Sequence, residues 1–363
     1  MRIVVTGGGT GGHVYPALEV AKSARESGHE ITYLGSIRGQ ESRLCKDADF
    51  EFYGFPSEPV YSIKSLGGIK ALANLYRASM LAKRRLREIR PDVLFSTGGY
   101  ASAPVVNAAK ELGIPYVIHE QNTVPGRTNL LLSKRAYAVA TTFKTGGEHF
   151  GSTPVRRTGM PIRRELRQSA QGSLFGHKTP NDKALILVMG GSQGAVVLNE
   201  AAIATATRMV NSNAHWLIVA GTKNFEGLHE SVKKMAISAE LDISAYLNAD
   251  EMANALFRAS VVVCRSGGSV AELAAFRKPS VLVPLPSAMG NHQHYNAVEF
   301  ENMGAAQLLP QKDMSASTLE ARIRYWLDEP GNIESAHEAL ADWDLPNAVE
   351  NILDLLEEAS GKK

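Results

Sequence analysis

Residues Thr6-Gly-Gly-Gly-Thr10-Gly-Gly-His13 follow the apolar run Ile3-Val4-Val5 and lead into a helix-like segment from Pro16. The order is strand, glycine turn, helix. Glycines let the backbone take positive φ and approach a ligand closely, and the free N–H groups at a helix start suit phosphate or sugar oxygens. A glycine turn can equally serve only to pack a strand against a helix. The pattern returns at Leu185–Asn199, LILVMGGSQGAVVLN, and two such units in one chain predict two Rossmann-like halves.

The chain has 363 residues, which at roughly 150 per domain suits two domains. Its 39 Lys plus Arg against 37 Asp plus Glu leave a formal charge of +2, so no nucleic-acid partner is expected. Cys45 and Cys264 are the only cysteines, too few for a disulfide framework, and predict buried thiols in a reducing compartment. There is no cleavable leader and no apolar run of about 18 residues, which predicts a cytoplasmic location.

Past the first turn, Ala17–Ser27 reads as a helix and Ile31–Leu34 as a strand, giving a βαβ unit and an α/β class. Asp47-Ala-Asp49 has the form of a metal-binding DxD but reads as a solvated loop before a short strand. Between Lys64 and Arg90 lie eight Lys or Arg and one Glu. At about 100° per residue, Leu75, Ala78, Ala82, Leu86 and Ile89 share a stripe directed at the sheet. A second stripe, Ile69, Leu72, Tyr76 and Met80, continues into Lys83, Arg87 and Arg90. That apolar-to-basic face suits either an anionic membrane surface or a solvated flank of a core helix.

Asp92–Ser96 is the next strand, and Thr97-Gly-Gly-Tyr100 turns into a helix over Ser102–Leu112. Pro115–His119 is another strand, ending in His119-Glu-Gln-Asn122. Ligands of open α/β sheets bind beyond the carboxyl ends of the strands, so His13, Tyr100, Glu120 and Asn122 are expected on one wall. Gly159-Met-Pro-Ile-Arg163 reads as a connector and Gln168–Asp182 as a surface excursion. The second half shows strands at Leu185–Met189, Trp216–Ala220, near Ala245–Leu247, Val261–Cys264 and Val281–Pro284. After Cys264, Arg265-Ser-Gly-Gly-Ser269-Val-Ala-Glu272 repeats the strand, turn and helix, and places Glu272 where a carboxylate accepts ribose hydroxyls. In Asn291-His-Gln293-His-Tyr-Asn296, His292 and His294 lack further metal ligands nearby, so hydrogen bonding to a sugar is favoured and no metal is expected. Helices are expected at Leu319–Leu327, Glu334–Leu340 and Ala348–Ala359.

The blocks GGTGGHVYPALEVA, TGGYASAP, HEQN, GMPIR, GGSQGAVVLN, RSGGSVAE and HQHYNA occur in an order that resembles the bacterial N-acetylglucosaminyltransferases that convert lipid I to lipid II, the MurG family. The resemblance covers most of the chain. It implies a GT-B fold, two Rossmann-like domains facing a cleft: residues 1–160 on the acceptor and membrane side, joined by the last helix, 346–363, and residues 161–345 holding the donor UDP-GlcNAc. It implies Ser192, Gln193 and Gly194 at the diphosphate, Glu272 at the ribose and Gln293 at the sugar. Thr10, Gly11, Gly12, Asn122 and Arg163 would close on the donor from the opposite wall and the connector. Two loops depart from the family pattern. Tyr246–Met252 is two residues longer, with Leu247 matched to the uracil contact, and Gly267–Val270 is one shorter, with Gly268 or Ser269 matched to the diphosphate.

The resemblance also implies an inverting displacement by the acceptor's 4-hydroxyl without cofactor or metal, at the inner leaflet of the cytoplasmic membrane, with lipid I as acceptor and cell-wall synthesis proteins as further partners. A base must take the hydroxyl proton, and imidazole is the side chain that titrates near neutrality. His13 either takes that proton or holds its turn; Glu120 is the second candidate. Rival readings are a GT-B enzyme with another lipid or small-molecule acceptor, a dinucleotide-dependent oxidoreductase, and a non-catalytic nucleotide binder. The second turn, GGSQGA, lacks G-x-G-x-x-G, against the oxidoreductase.

Overall fold

The computed structural model describes residues 1–59, 66–172, 183–191, 194–235 and 240–362. It divides into two compact units, Met1–Arg163 with Leu345–Lys363, and Arg164–Asp344. Each unit is a Rossmann-like parallel sheet with helices on its faces.

In the first unit the strands are β1 (Arg2–Thr6), β2 (Glu30–Ser36), β3 (Glu51–Phe55), β4 (Val93–Ser96), β5 (Tyr116–Glu120), β6 (Ala138–Thr141) and β7 (Val155–Arg157). Their spatial order is β3-β2-β1-β4-β5-β6-β7, all parallel, so the order reverses between β1 and β4. Because both faces are covered, central strands are near-continuous apolar runs. The pleat divides them. Ile3, Val5, Val93, Phe95 and Val117 pack with α1 (Gly11–Glu26) and α14 (Ala348–Ser360), whose Ile352, Leu355 and Leu356 are fully buried. Val4, Leu94, Tyr116 and Ile118 face the other way, onto α3 (Leu66–Ile89) and α4 (Ala103–Leu112). Between these helices, α2 (Glu41–Asp47) precedes β3, and α5 (Arg127–Ser133) follows β5.

In the second unit β8 (Ala184–Met189), β9 (Ala214–Val219), β10 (Leu241–Ser244), β11 (Ala259–Cys264), β12 (Ser280–Leu282) and β13 (Ala306–Leu308) take the order β10-β9-β8-β11-β12-β13. The reversal now falls between β8 and β11. The main helices are α6 (Arg164–Gly172), α7 (Val196–Arg208), α8 (Phe225–Lys233), α9 (Ala249–Arg258), α10 (Ser269–Ala275), α11 (His292–Asn302), α12 (Ala316–Leu327) and α13 (Pro330–Trp343). Ile186, Val188, Trp216, Val261, Val263 and Val281 meet Leu198 of α7, Leu319 and Ile323 of α12 and Ala336 of α13 in one core.

Two expectations shift. The strand expected near Ala245–Leu247 lies at Leu241–Ser244, pairing Leu241 with Trp216 and Ile243 with Ile218. Residues 245–247 instead lead into Asn248, which caps α9 in a capping box with Glu251. Gln168–Gly172 completes α6 and is no part of a loop, while residues 173–182 of that stretch lie outside the described residues.

All three tryptophans, Trp216, Trp326 and Trp343, belong to the second unit, so their fluorescence reports that unit alone. Leu355→Ala should cost the first unit about 2 to 5 kcal/mol through the cavity it leaves. Hydrogen exchange of β1 and β4 amides should accelerate accordingly, with the tryptophan-detected transition unmoved.

Candidate functional site

The turns that follow β1 and β4 flank the point where strand order reverses, the place where open α/β sheets hold ligands. They cross with no room for side chains. A β-carbon on Gly99, whose φ is +81°, would lie 2.2 Å from the Gly8 carbonyl oxygen, and the Gly8 N–H donates to the Gly98 carbonyl at 3.3 Å. Tyr100 closes over Gly9, where a β-carbon would meet its ring at 2.5 Å.

Below the turn, groups that the sequence did not single out hold it. Tyr33 donates its hydroxyl to the Gly7 carbonyl. Glu41, fully buried at the start of α2, accepts from the N–H groups of Ser36 at 2.9 Å and Gly9 at 3.3 Å. The Gly8 and Gly9 donors are thus engaged within the protein. Thr10, Gly11 and Gly12 open α1, where the first helical N–H groups have no partner within the helix. Pro16 is buried inside the same helix.

His13 stands in the first turn of α1, half-buried. Its Nδ1 lies 2.8 Å from the Thr97 carbonyl oxygen, and the Thr97 hydroxyl donates to the His13 carbonyl at 2.7 Å. A carbonyl only accepts, so in the neutral imidazole Nδ1 carries the proton and Nε2 keeps the lone pair.

Glu120 ends β5 and is fully buried. Its Oε1 accepts from the Asn122 N–H at 3.0 Å and side-chain amide at 3.1 Å. Its Oε2 accepts from the Gly126 N–H at 3.0 Å and from Asn129 at 2.8 Å. Four donors on two oxygens shape the 121–129 loop around this carboxylate. His119 is buried, with Nε2 2.9 Å from the Gly159 carbonyl oxygen. Desolvation outweighs that hydrogen bond and pushes its imidazole down to about 4.

In the second unit the turns after β8 and β11 flank the corresponding reversal. Ser192 and Gln193 lie outside the described residues. Gly194 has φ +72°, and a β-carbon there would lie 2.0 Å from the Ala220 carbonyl oxygen, which also accepts from Asn199 of α7 at 3.0 Å. Gly268 caps α10, Ser269 opens it and half-buried Glu272 lies in its first turn. Gln293 is brought beside Gly267, whose β-carbon would meet its Nε2 at 3.6 Å. Its Oε1 accepts from the Leu285 N–H at 2.9 Å, leaving the amide nitrogen as the donor end. Ser266 and Asn296 tie this loop to α11: Ser266 Oγ donates to the Gln293 carbonyl at 2.7 Å, and Asn296 donates to the Ser266 carbonyl at 3.0 Å. Arg265 donates to the carbonyls of Val283 and Pro284. Leu247 is buried, while Tyr246 beside it is 61% exposed. His292 bonds the Met289 carbonyl through Nδ1, and His294 packs edge-on against Tyr295. Arg163 ends the first of the two segments that make up the first unit.

On α3 the two stripes separate. Ala78, Ala82 and Leu86 are buried, whereas Leu72 is 41%, Tyr76 70% and Met80 59% exposed. Ile69 lies in the helix, its side chain outside those described. Lys83 pairs with Glu111 of α4 at 2.8 Å, and Arg87 is exposed.

With the geometry in hand, residues 3–141 match the glycosyltransferase family 28 N-terminal domain and residues 185–352 its C-terminal domain. The UDP-N-acetylglucosamine–N-acetylmuramyl-(pentapeptide) pyrophosphoryl-undecaprenol N-acetylglucosamine transferase of Desulforamulus reducens is 36% identical over 98% of both chains. The protein of the same name from Halothermothrix orenii is 35% identical over 99% of both. The crystal structure of Acinetobacter baumannii MurG superposes with a TM-score of 0.77 at 29% identity, covering 98% of this chain and 99% of that one.

The folded-state value of His119 lies below the ordinary 6.5, so the unfolded chain binds more protons between about pH 6.5 and 4. Stability of the first unit should therefore fall as pH drops through that window and level off below it. His119→Asn should flatten the pH dependence of unfolding there, read by hydrogen exchange; an unchanged slope would remove His119 as its source.

Proposed function

The chain belongs to glycosyltransferase family 28, and from that premise we propose that it moves GlcNAc from UDP-GlcNAc to the 4-hydroxyl of the undecaprenyl-diphosphate-linked MurNAc pentapeptide, lipid I, giving lipid II. The observation that carries the site assignment is that residues 10–13 follow β1 at one strand-order reversal, and Gly194 and residues 268–272 follow β8 and β11 at the other, one per unit.

The second unit holds the donor. Glu272 accepts from the ribose hydroxyls, the Gln293 amide donates to sugar oxygens, and the 190–194 and 267–269 turns face the diphosphate. Ser192, Gln193 and Gly194, with Gly268 or Ser269, supply neutral donors that stabilise charge as UDP departs. Leu247, buried next to exposed Tyr246 in the chain, serves the uracil end through its backbone. In the first unit Thr10, Gly11, Gly12, Asn122 and Arg163 remain candidate contacts for UDP-GlcNAc, as the family resemblance implies.

His13 Nε2 takes the proton of the attacking hydroxyl, while Nδ1 stays bound to Thr97. Glu120, with both oxygens engaged, orders the loop that carries Asn122. Among the described residues no helix is long and apolar enough to cross a membrane. Contact with the inner leaflet falls to α3, where Leu72, Tyr76 and Met80 insert and Arg87 and Lys83 meet anionic headgroups; Ile69 belongs to the same stripe by sequence spacing.

Release of UDP from UDP-GlcNAc should depend on a short-chain lipid I analogue and should not occur with UDP-GalNAc. His13→Ala should lower turnover by about 10² to 10⁴-fold. Donor binding without acceptor-dependent release would transfer the enzyme to another lipid or small-molecule acceptor.

Leu72→Glu with Tyr76→Glu should abolish flotation with anionic liposomes and leave UDP-GlcNAc affinity unchanged. Undiminished flotation would move the membrane face elsewhere.

A further inference from the structure

Beneath His13 lies a chain of buried hydrogen bonds that leads away from the proposed reaction centre. Gln121 is 5% exposed. Its Nε2 lies 2.9 Å from the Thr97 carbonyl oxygen, the same oxygen that accepts from His13 Nδ1. It also lies 3.1 Å from His119 Nδ1 and 3.0 Å from the His119 carbonyl oxygen. His119 Nε2 donates to the Gly159 carbonyl, so Nδ1 is the accepting nitrogen in the neutral ring. Burial holds that ring neutral down to about pH 4. The amide can therefore point only its donor end at Thr97; reversing it would set an oxygen against two carbonyl oxygens and an imidazole lone pair.

The Thr97 carbonyl belongs to a peptide unit that needs holding. Gly98 follows it with φ +88°, and Gly99 after that with φ +81°, so the backbone beyond Thr97 has rotational freedom that other residues lack. Its N–H side is tied to Ser96 Oγ at 3.2 Å. Its oxygen is held by two side-chain donors, His13 from above and Gln121 from within. Loss of Gln121 leaves that oxygen to the Ser96 bond on the far side of the peptide and to the imidazole that it is supposed to orient.

We infer that Gln121 is a positioning residue for the transfer: by donating to the Thr97 carbonyl it keeps that oxygen on His13 Nδ1 and so fixes the tautomer whose Nε2 is free to take a proton. The inference rests on the reading of His13 as base. It gives the third residue of the HEQN block a role apart from its neighbours, because Glu120 and Asn122 shape the loop while Gln121 acts inward through Thr97.

The test uses the full chain with ¹⁵N-labelled histidine. In the wild-type protein, long-range proton–nitrogen spectra should show His13 protonated at Nδ1 and bare at Nε2; a bare Nδ1 would overturn the proposal before any variant is made. Gln121→Met keeps side-chain length and removes both donors. It should bring the other His13 tautomer into the spectrum and lower kcat on the order of 10- to 100-fold, the range for losing a group that orients a functional imidazole, with the KM for UDP-GlcNAc unchanged. A lower kcat with the tautomer unmoved would reduce Gln121 to a packing role. A shifted tautomer with kcat unmoved would equally overturn the proposal. If the wild-type protein releases no UDP with the lipid I analogue, the functional reading fails while the tautomer result stands.

Discussion

Two backbone segments cross at the head of the first sheet with no space between them for a β-carbon. Residues 7–9 leave β1 and residues 97–99 leave β4, and Gly99 approaches the Gly8 carbonyl so closely that alanine there would force them apart. Because β1 and β4 are hydrogen-bonded neighbours, with Thr6 beside Ser96, the crossing is a continuation of sheet register. Much else in the first unit follows from it. Tyr100 is set over Gly9, Thr97 is brought to both the side chain and the carbonyl of His13, and the buried Glu41 closes the turn from beneath. The polar groups consumed in holding the crossing are not available to a ligand. The first helical N–H groups at Thr10–Gly12 and Nε2 of His13 are the ones proposed to serve the chemistry.

The second unit solves the same problem with different chemistry. Its strand order repeats that of the first, and its turns again flank the reversal. Here the close approach is Gly194 against the end of β9, and the β11 turn is held by side chains: Arg265 on the β12 terminus, Ser266 and Asn296 on α11. Gln293 is oriented by a backbone N–H that takes its oxygen. In the proposed reading, one fold offers a backbone-built platform for a base and a side-chain-built platform for a nucleotide sugar. A transferase that must hold a donor and deprotonate an acceptor needs both.

The sequence makes the scaffold legible because its signals are local. Apolar runs ending in glycines mark β1, β4, β8 and β11, and the period of α3 separates Ala78, Ala82 and Leu86 from Leu72, Tyr76 and Met80. Weakly apolar β10 is misplaced, since Asp242 and Ser244 interrupt its run and Tyr246-Leu247 next to it looks more strand-like. Glu41 and Gln121 are illegible for a different reason. A carboxylate or amide within a polar stretch reads as solvated, and only tertiary partners such as Gly9, Ser36 and Thr97 reveal it as buried and engaged. The likeness of GGTGGH, HEQN and GGSQGA to the transferase blocks supplies the candidate site, whereas the tautomer of His13 and the four donors on Glu120 required coordinates.

The central claim is a single displacement in which His13 takes the acceptor proton and no enzyme carboxylate becomes bonded to the sugar. Glu120, with both oxygens held by donors, is placed to order a loop and not to attack. The stereochemistry of the product tests this most directly. The donor carries GlcNAc as its α-anomer, so NMR of the disaccharide formed with a lipid I analogue should show a β-linked GlcNAc on the 4-oxygen. An α-linked product would mean retention, by a covalent intermediate or by front-face attack, and would contradict the single back-side displacement.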